Sequence, residues 1–161
     1  MFIKKIFTAS IIIFCAALLG LAANAISPNG ISLQYSKLTN NDLPDQFQPM
    51  PEISIEEAKS FFDSGEAVFI DARMDNFYRD EHIEGALNLP YYDFSTVYDE
   101  ISKKINKTDL IITYCSEVDC ELSQAVAKKL KLNGYTNIKV MVGGLEEWII
   151  EGFPTVYGGA P

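Results

Sequence analysis

The chain is short of the residues that metal and nucleic-acid chemistry need. Among its 161 residues there is one histidine, His82, and beyond the N-terminal 25 residues only two cysteines, Cys115 and Cys120. No Cys/His set for structural zinc can be assembled from these, and no metal site is expected. Arginine is nearly absent too, with Arg73 and Arg79 the only two. Basic residues number 13 against 22 acidic ones, a net charge of −9. Setting aside Lys4 and Lys5 leaves 11 basic against 22 acidic residues, a charge of −11. Such an acidic chain is a poor nucleic-acid binder and is repelled by anionic lipid surfaces. There is no internal repeat and no low-complexity tract. What is present suits one globular core: 48% apolar residues, 12% aromatic, and a length that leaves room for one ordinary domain. A monomer is the default at that size.

The N-terminus has its own pattern. Lys4 and Lys5 give a positive start, residues 6–23 are uncharged and mostly apolar, and Ala23-Asn24-Ala25 fits a small-x-small cleavage site. This is the layout of a secretory leader. Eighteen residues at about 1.5 Å each also give roughly 27 Å of helix, enough for a membrane anchor with the lysines on the cytoplasmic side. Residues 1–25 are therefore a signal peptide or an N-terminal anchor, and either places the remainder outside the cytoplasm, in a periplasm or secreted. Cys15 reads as one more small apolar residue of that run. Residues 26–50 hold no sustained period and read as a linker. Residues 51–161 form the folded domain.

In that domain strands alternate with helices. Strands are expected near residue 53 and over 67–71, 86–89, 110–114 and 138–142. Helical segments are expected over 55–64, 75–81, 96–105, after Cys115, and over 145–151. The helix after Cys115 is the best marked: Leu122, Val126 and Leu130 make one stripe at i, i+4, and Gly134 terminates it. Such alternation means a mostly parallel five-stranded sheet with helices on both faces, and ligands in such sheets bind at the carboxyl ends of strands.

Cys115 stands at one of those ends. It closes the run Leu110-Ile111-Ile112-Thr113-Tyr114 and opens a polar loop leading into a helix. Backbone N–H groups and the positive end of a helix dipole favour thiolate over thiol there and suit an anionic sulfur species. The competing reading is a small buried apolar cysteine. In an oxidising compartment Cys115 and Cys120 are also close enough in sequence to form a disulfide.

Four ordered motifs carry a resemblance. Phe69-Ile70-Asp71-Ala72-Arg73 is similar to a strand ending in Asp-x-Arg, and His82-Ile83-Glu84-Gly85-Ala86-Leu87-Asn88-Leu89-Pro90 to Gly-His-Ile-x-Gly-Ala-x-Asn-x-Pro, with Glu81 in place of the first glycine. Gly143-Gly144-Leu145-Glu146-Glu147-Trp148 is similar to Gly-Gly-x-x-x-Trp, and Gly152-Phe153-Pro154-Thr155-Val156 to the usual tail. Together they resemble the rhodanese family of sulfurtransferase domains over about residues 51–157. The resemblance implies a three-layer α/β domain in which Cys115 takes a sulfane sulfur as a persulfide and hands it to a thiol or protein acceptor. Backbone groups of Ser116, Glu117, Val118, Asp119, Cys120 and Glu121 would hold the terminal sulfur, with no cofactor. The donor would be thiosulfate or a persulfide.

The loop departs from the family's Cys-x-x-Gly-x-Arg-Ser pattern. Cys120 stands in the arginine slot, Val118 in the glycine slot, and Glu117, Asp119 and Glu121 are acids. Asp119 and Glu121 would take up part of the dipole field and disfavour a thiolate. A dianion such as thiosulfate is then expected to bind poorly unless Arg73 or Arg79 reaches the site, and a neutral or cationic persulfide partner suits it better. Phosphatase or arsenate-reductase chemistry, which clamps an oxyanion with a loop arginine, is set aside because no arginine follows Cys115. Cys120 also opens dithiol chemistry: attack on a Cys115 persulfide would release sulfide and leave a Cys115–Cys120 disulfide. A non-catalytic, partner-binding module near the membrane is the reading from another class.

For the remaining residues the expectations are structural. Asp71 and Arg73 form an ion pair at the strand end, or Arg73 binds a substrate anion. His82 packs and hydrogen-bonds rather than acting as a base. Gly143-Gly144 meets a backbone requirement. Trp148, Phe153, Phe77, Tyr78, Tyr91, Tyr92 and Phe94 are core residues, with a pocket or partner surface as the alternative for the last five.

Overall fold

A computed structural model describes residues 2–27, 48–116 and 121–158, with the side chains of residues 2–9 and 25 outside that description. The chain divides into two units, residues 1–39 and 40–161. The described residues of the first form a 25-residue helix, α1 (Phe2–Ile26). Among the described residues no helix is long and apolar enough to cross a membrane, so the tether expected over residues 6–23 finds no support in them. Most of the expected linker, residues 28–47, lies outside the described residues.

The second unit is built on a five-stranded sheet. Its strands are β1 (Glu52–Ile53), β2 (Ala67–Asp71), β4 (Leu87–Asn88), β5 (Leu110–Tyr114) and β6 (Ile138–Met141), in the order β1-β6-β5-β2-β4. Every pairing in it is parallel. Successive residues of a strand point to opposite faces, and here both faces are apolar because both are covered. Ile70 of β2 and Ile111 of β5 face one core with Phe94, Ile101, Val126 and Leu130. Those residues lie on α4 (Phe94–Ile101) and α5 (Glu121–Leu132). Phe69, Ile112 and Tyr114 face the other with Ile55, Ala58, Leu145 and Trp148, from α2 (Ile55–Ser64) and α6 (Gly144–Ile150). The result is the three-layer α/β domain expected from the alternation.

Local chemistry sets the ends of these elements. Ser54 caps α2 by accepting from the Glu57 N–H, and Gly65, at φ 68°, closes it in a left-handed turn. Trp148 is fully buried, its ring 5.4 Å from Phe62, 5.6 Å from Phe69 and 5.1 Å from Phe153, and its Nε1–H donates to the Pro154 carbonyl at 3.0 Å.

Three features differ from the sequence expectation. Segment 75–81 is a helix only as far as α3 (Asp75–Asp80), and Glu81–Ile83 is a strand, β3. It pairs antiparallel with β7 (Thr155–Tyr157) as a separate two-stranded sheet. Two three-residue strands far apart in sequence carry too little periodicity to be read. Helix α4 begins at Phe94, whose ring stacks on Tyr98 one turn on at 5.2 Å. It ends at Ile101 because Lys103 and Lys104 bond three residues back, to Glu100 and Ile101, as tighter turns. Among the aromatics, Phe94 is buried but Phe77 and Tyr92 are exposed, so the core assignment fails for those two.

Candidate active site

The parallel register brings Asp71 of β2 beside Tyr114 of β5, so the chain leaves both strands at the same edge. Cys115 is the first residue past that edge and is 2% exposed. Its carbonyl accepts from the Leu145 N–H at 2.8 Å, and the Ser116 carbonyl accepts from the Glu146 N–H at 2.9 Å. The opening of the cysteine loop is thus clasped by the free N–H groups in the first turn of α6. Gly143 and Gly144 allow this approach, with φ of 89° and 63°. A Cβ on Gly143 would also run into the Glu147 side chain. On the other side, the Thr113 hydroxyl donates to the Ser123 carbonyl at 3.1 Å, tying β5 to the first turn of α5.

A buried polar frame stands beside the cysteine. Arg73 Nε and Nη2 donate to the Asp71 carboxylate at 3.0 and 2.7 Å, and Nη2 also donates to the Glu81 carbonyl at 2.6 Å. Burial opposes the Arg73 charge, but the hydrogen bonds and charge of Asp71 outweigh it and raise its pKa. Asn88 donates through Nδ2 to the carbonyls of Asp71 and Arg73, at 3.2 and 2.9 Å, locking the turn after β2 to β4. The Tyr114 hydroxyl accepts from the Ile83 N–H at 3.2 Å. Burial, reinforced by the Asp71 charge, pushes the Tyr114 phenol well above the ordinary tyrosine range.

Arg73 and Ser116 open onto a cleft of about 310 Å³, also lined by Phe77, Asp80, Glu81, Leu145, Glu146 and Ile149. A larger cleft of about 640 Å³ lies around Tyr78, His82, Asn88, Asp93, Val97 and Glu100. His82 is buried there, stacked on Tyr78 with ring centroids 3.7 Å apart, and its Nδ1 lies 2.7 Å from the Tyr78 carbonyl. That arrangement is the packing and hydrogen-bonding role expected of it. Among the described residues no cluster of three or more His, Cys, Asp or Glu could hold a metal ion.

Of the candidate site residues, Cys115, Ser116 and Arg73 come together at one strand edge, and Glu121 opens α5 as an exposed residue. Glu117, Val118, Asp119 and Cys120 lie outside the described residues. Cys115 is disulfide-bonded, and Cys15 is free and exposed. Sequence reasoning missed the α6 clasp and the cleft walls supplied by Phe77, Asp80, Glu81, Glu146 and Ile149. The double glycine before Leu145 was the available signal for the clasp, because it points to a close backbone approach.

Comparison with known proteins agrees with this geometry. Residues 54–151 match the Rhodanese-like domain family. The chain is 31% identical over 97 residues to a thiosulfate sulfurtransferase, GlpE, of Coxiella burnetii, covering 60% of this chain and 85% of that one. The solution structure of the rhodanese-like domain of the Alr3790 protein from Anabaena sp. superposes with a TM-score of 0.56 at 29% identity, over 69% of this chain and 87% of that one. The BH2092 protein from Bacillus halodurans gives a TM-score of 0.56 at 25% identity, over 67% and 77%. With its sheet order, its cysteine at the β5 edge and these matches taken together, the chain belongs to the Rhodanese-like domain family.

Proposed function

We propose that the protein is a sulfurtransferase or sulfur carrier in which Cys115 is the nucleophile. The observation that carries this reading is the position of Cys115, held at the carboxyl edge of β5 between α6 and the Asp71–Arg73 frame. The sulfurtransferase activity in the name of the Coxiella relative supports the reaction class. In the first half-reaction the Cys115 thiolate attacks the outer sulfur of a persulfide donor. The donor S–S bond breaks, its thiolate leaves, and a new S–S bond forms on Cys115. In the second, an acceptor thiolate attacks the outer sulfur and Cys115 leaves as thiolate, with no net redox change. Glu117, Asp119 and Glu121 make an anionic donor such as thiosulfate a poor match, so a persulfide is the preferred donor. Export by the N-terminal segment, with function outside the cytoplasm, belongs to the same reading.

A second reading has its own support, because Cys115 is disulfide-bonded. In a dithiol cycle Cys120 attacks Cys115 Sγ of the persulfide, sulfide departs, and the resulting disulfide must be reopened by a thiol reductant. The test is turnover by the reduced full chain with a persulfide donor and cyanide as the acceptor, with no thiol added, alongside thiosulfate with cyanide. Sulfur transfer that needs no added reductant after the first cycle supports the carrier reading. Stoichiometric sulfide release that stops until reductant is added favours the dithiol cycle. Rapid thiosulfate–cyanide turnover would overturn the donor preference.

A further inference from the structure

The small cleft has a composition the sulfur chemistry alone does not require. Its walls carry two large apolar side chains in contact with solvent, Phe77 at 50% exposure and Ile149 at 38%, above a floor formed by buried Leu145. Three carboxylates, Asp80, Glu81 and Glu146, share the lining. None of the three has an ion-pair partner among the described residues, although the Glu81 carboxylate accepts the Thr155 hydroxyl at 2.8 Å and also bonds to the Tyr157 hydroxyl. Both arginines of the chain are already engaged, Arg73 with Asp71 and Arg79 with Asp75, each at 2.7 Å. With the Arg73 charge balanced by Asp71, the lining is net anionic beside Ser116.

Apolar side chains left in water next to unpaired charge of one sign are what a docking surface presents, and charge complementarity selects its occupant. A second copy of this chain, with net charge −9, is repelled. Small anionic donors are repelled for the same reason. We infer that this cleft docks a basic segment of another protein that presents a cysteine between apolar residues, seated between Phe77 and Ile149 and drawn in by Asp80, Glu81 and Glu146. The inference rests on the sulfur-transfer reading of Cys115 for its purpose, and it supplies the partner that reading leaves open. The lysine or arginine side chains of the partner face the carboxylates, and its thiol is delivered beside Ser116, next in the chain to the reacting sulfur.

Binding can be read without the chemistry, so that failure of the two readings is distinguishable. Two labelled peptides of equal length, with a Leu-Ser-Leu centre flanked by lysines in one and by glutamates in the other, are titrated with the reduced full chain and followed by fluorescence anisotropy. Serine replaces the acceptor cysteine. The lysine peptide is expected to bind roughly tenfold or more tightly than the glutamate peptide, and to weaken as salt rises. Phe77→Ser and Glu146→Lys should each weaken it by roughly tenfold, while Thr96→Arg in the larger cleft leaves it unchanged. Both variants are at exposed positions, and unchanged thermal midpoints would show that they remain folded. Equal binding of the two peptides, no binding of either, or sensitivity to Thr96→Arg alone would overturn the inference. Sulfur loading of Cys115, measured separately, is not expected to follow any of these outcomes.

Discussion

Two clefts share one wall in this protein, and they differ in what they can do. Helix α3 and strand β3 form the wall: Asp75, Tyr78 and His82 face the larger cleft, while Phe77, Asp80 and Glu81 face the smaller. The alternation of Glu81 and His82 along β3 is the ordinary pleat of a strand, and the split along α3 follows from helical spacing. The larger cleft holds about twice the volume and contains the histidine, yet no cysteine is among its described lining residues. His82 is bonded through Nδ1 to Tyr78 and held in a stack. The smaller is lined by Ser116, the residue after Cys115. Volume and a histidine mark a cavity, whereas a strand edge with a clasped cysteine loop marks chemistry. The difference teaches that, on the proposed reading, nearness to the cysteine-bearing strand edge and not volume singles out the smaller cleft.

The sharpest way to break the comparison is at the cysteine. Cys115→Ser should reduce sulfur transfer by at least roughly 10³-fold, because no other thiol stands at the strand edge among the described residues. A smaller loss, with persulfide found elsewhere on the chain, would move the chemistry away from the small cleft. Next is the frame beneath it. Asp71→Ala leaves the Arg73 guanidinium buried without its partner, and thermal or denaturant unfolding should show a loss of about 3–5 kcal/mol. Gly143→Ala imposes a side chain at φ 89° against Glu147, with an expected cost of about 1–3 kcal/mol and slower transfer through a displaced loop.

Tyr114, bonded to the backbone of the shared wall at Ile83, gives a pH-dependent prediction. Its pKa is raised on folding, so its stabilising contribution is full below the ordinary tyrosine range and is lost as pH rises from there toward the folded value. Stability should fall by about 1.4 kcal/mol per pH unit across that alkaline window, and Tyr114→Phe should flatten the slope by that amount. The smallest effect is expected in the larger cleft. Thr96→Arg places a bulky cation among its lining residues and should leave sulfur-transfer rates within about twofold, since no transfer step passes through it.

Much of the fold was legible because it depends on local pattern. The apolar runs of β2 and β5, the i, i+4 stripe of α5 and the Gly143-Gly144 break are strong signals in a parallel α/β arrangement, where both sheet faces are buried. The cysteine at the end of β5 was legible for the same reason. The β3–β7 pair was not, since Glu81–Ile83 and Thr155–Tyr157 are too short to show a period and meet across more than seventy positions. The cleft walls were also hidden. Phe77 and Ile149 look like core residues in one dimension, and only the packing of α3 and α6 leaves them in water beside Ser116. Arg73 illustrates a third kind of ambiguity: its pairing with Asp71 follows from spacing, but its place at the cleft depends on the turn that Asn88 locks.

The central claim is that Cys115 accepts a sulfane sulfur, and the most direct measurement is intact mass with peptide mapping. The full chain is first reduced with a thiol, freed of it, and then exposed to cysteamine persulfide, a small donor with no net negative charge. The account predicts the gain of one sulfur atom, mapped to Cys115 and removed again by a thiol. A chain that keeps Cys115 unmodified as a free thiol, with no sulfur gained at that position, would contradict it.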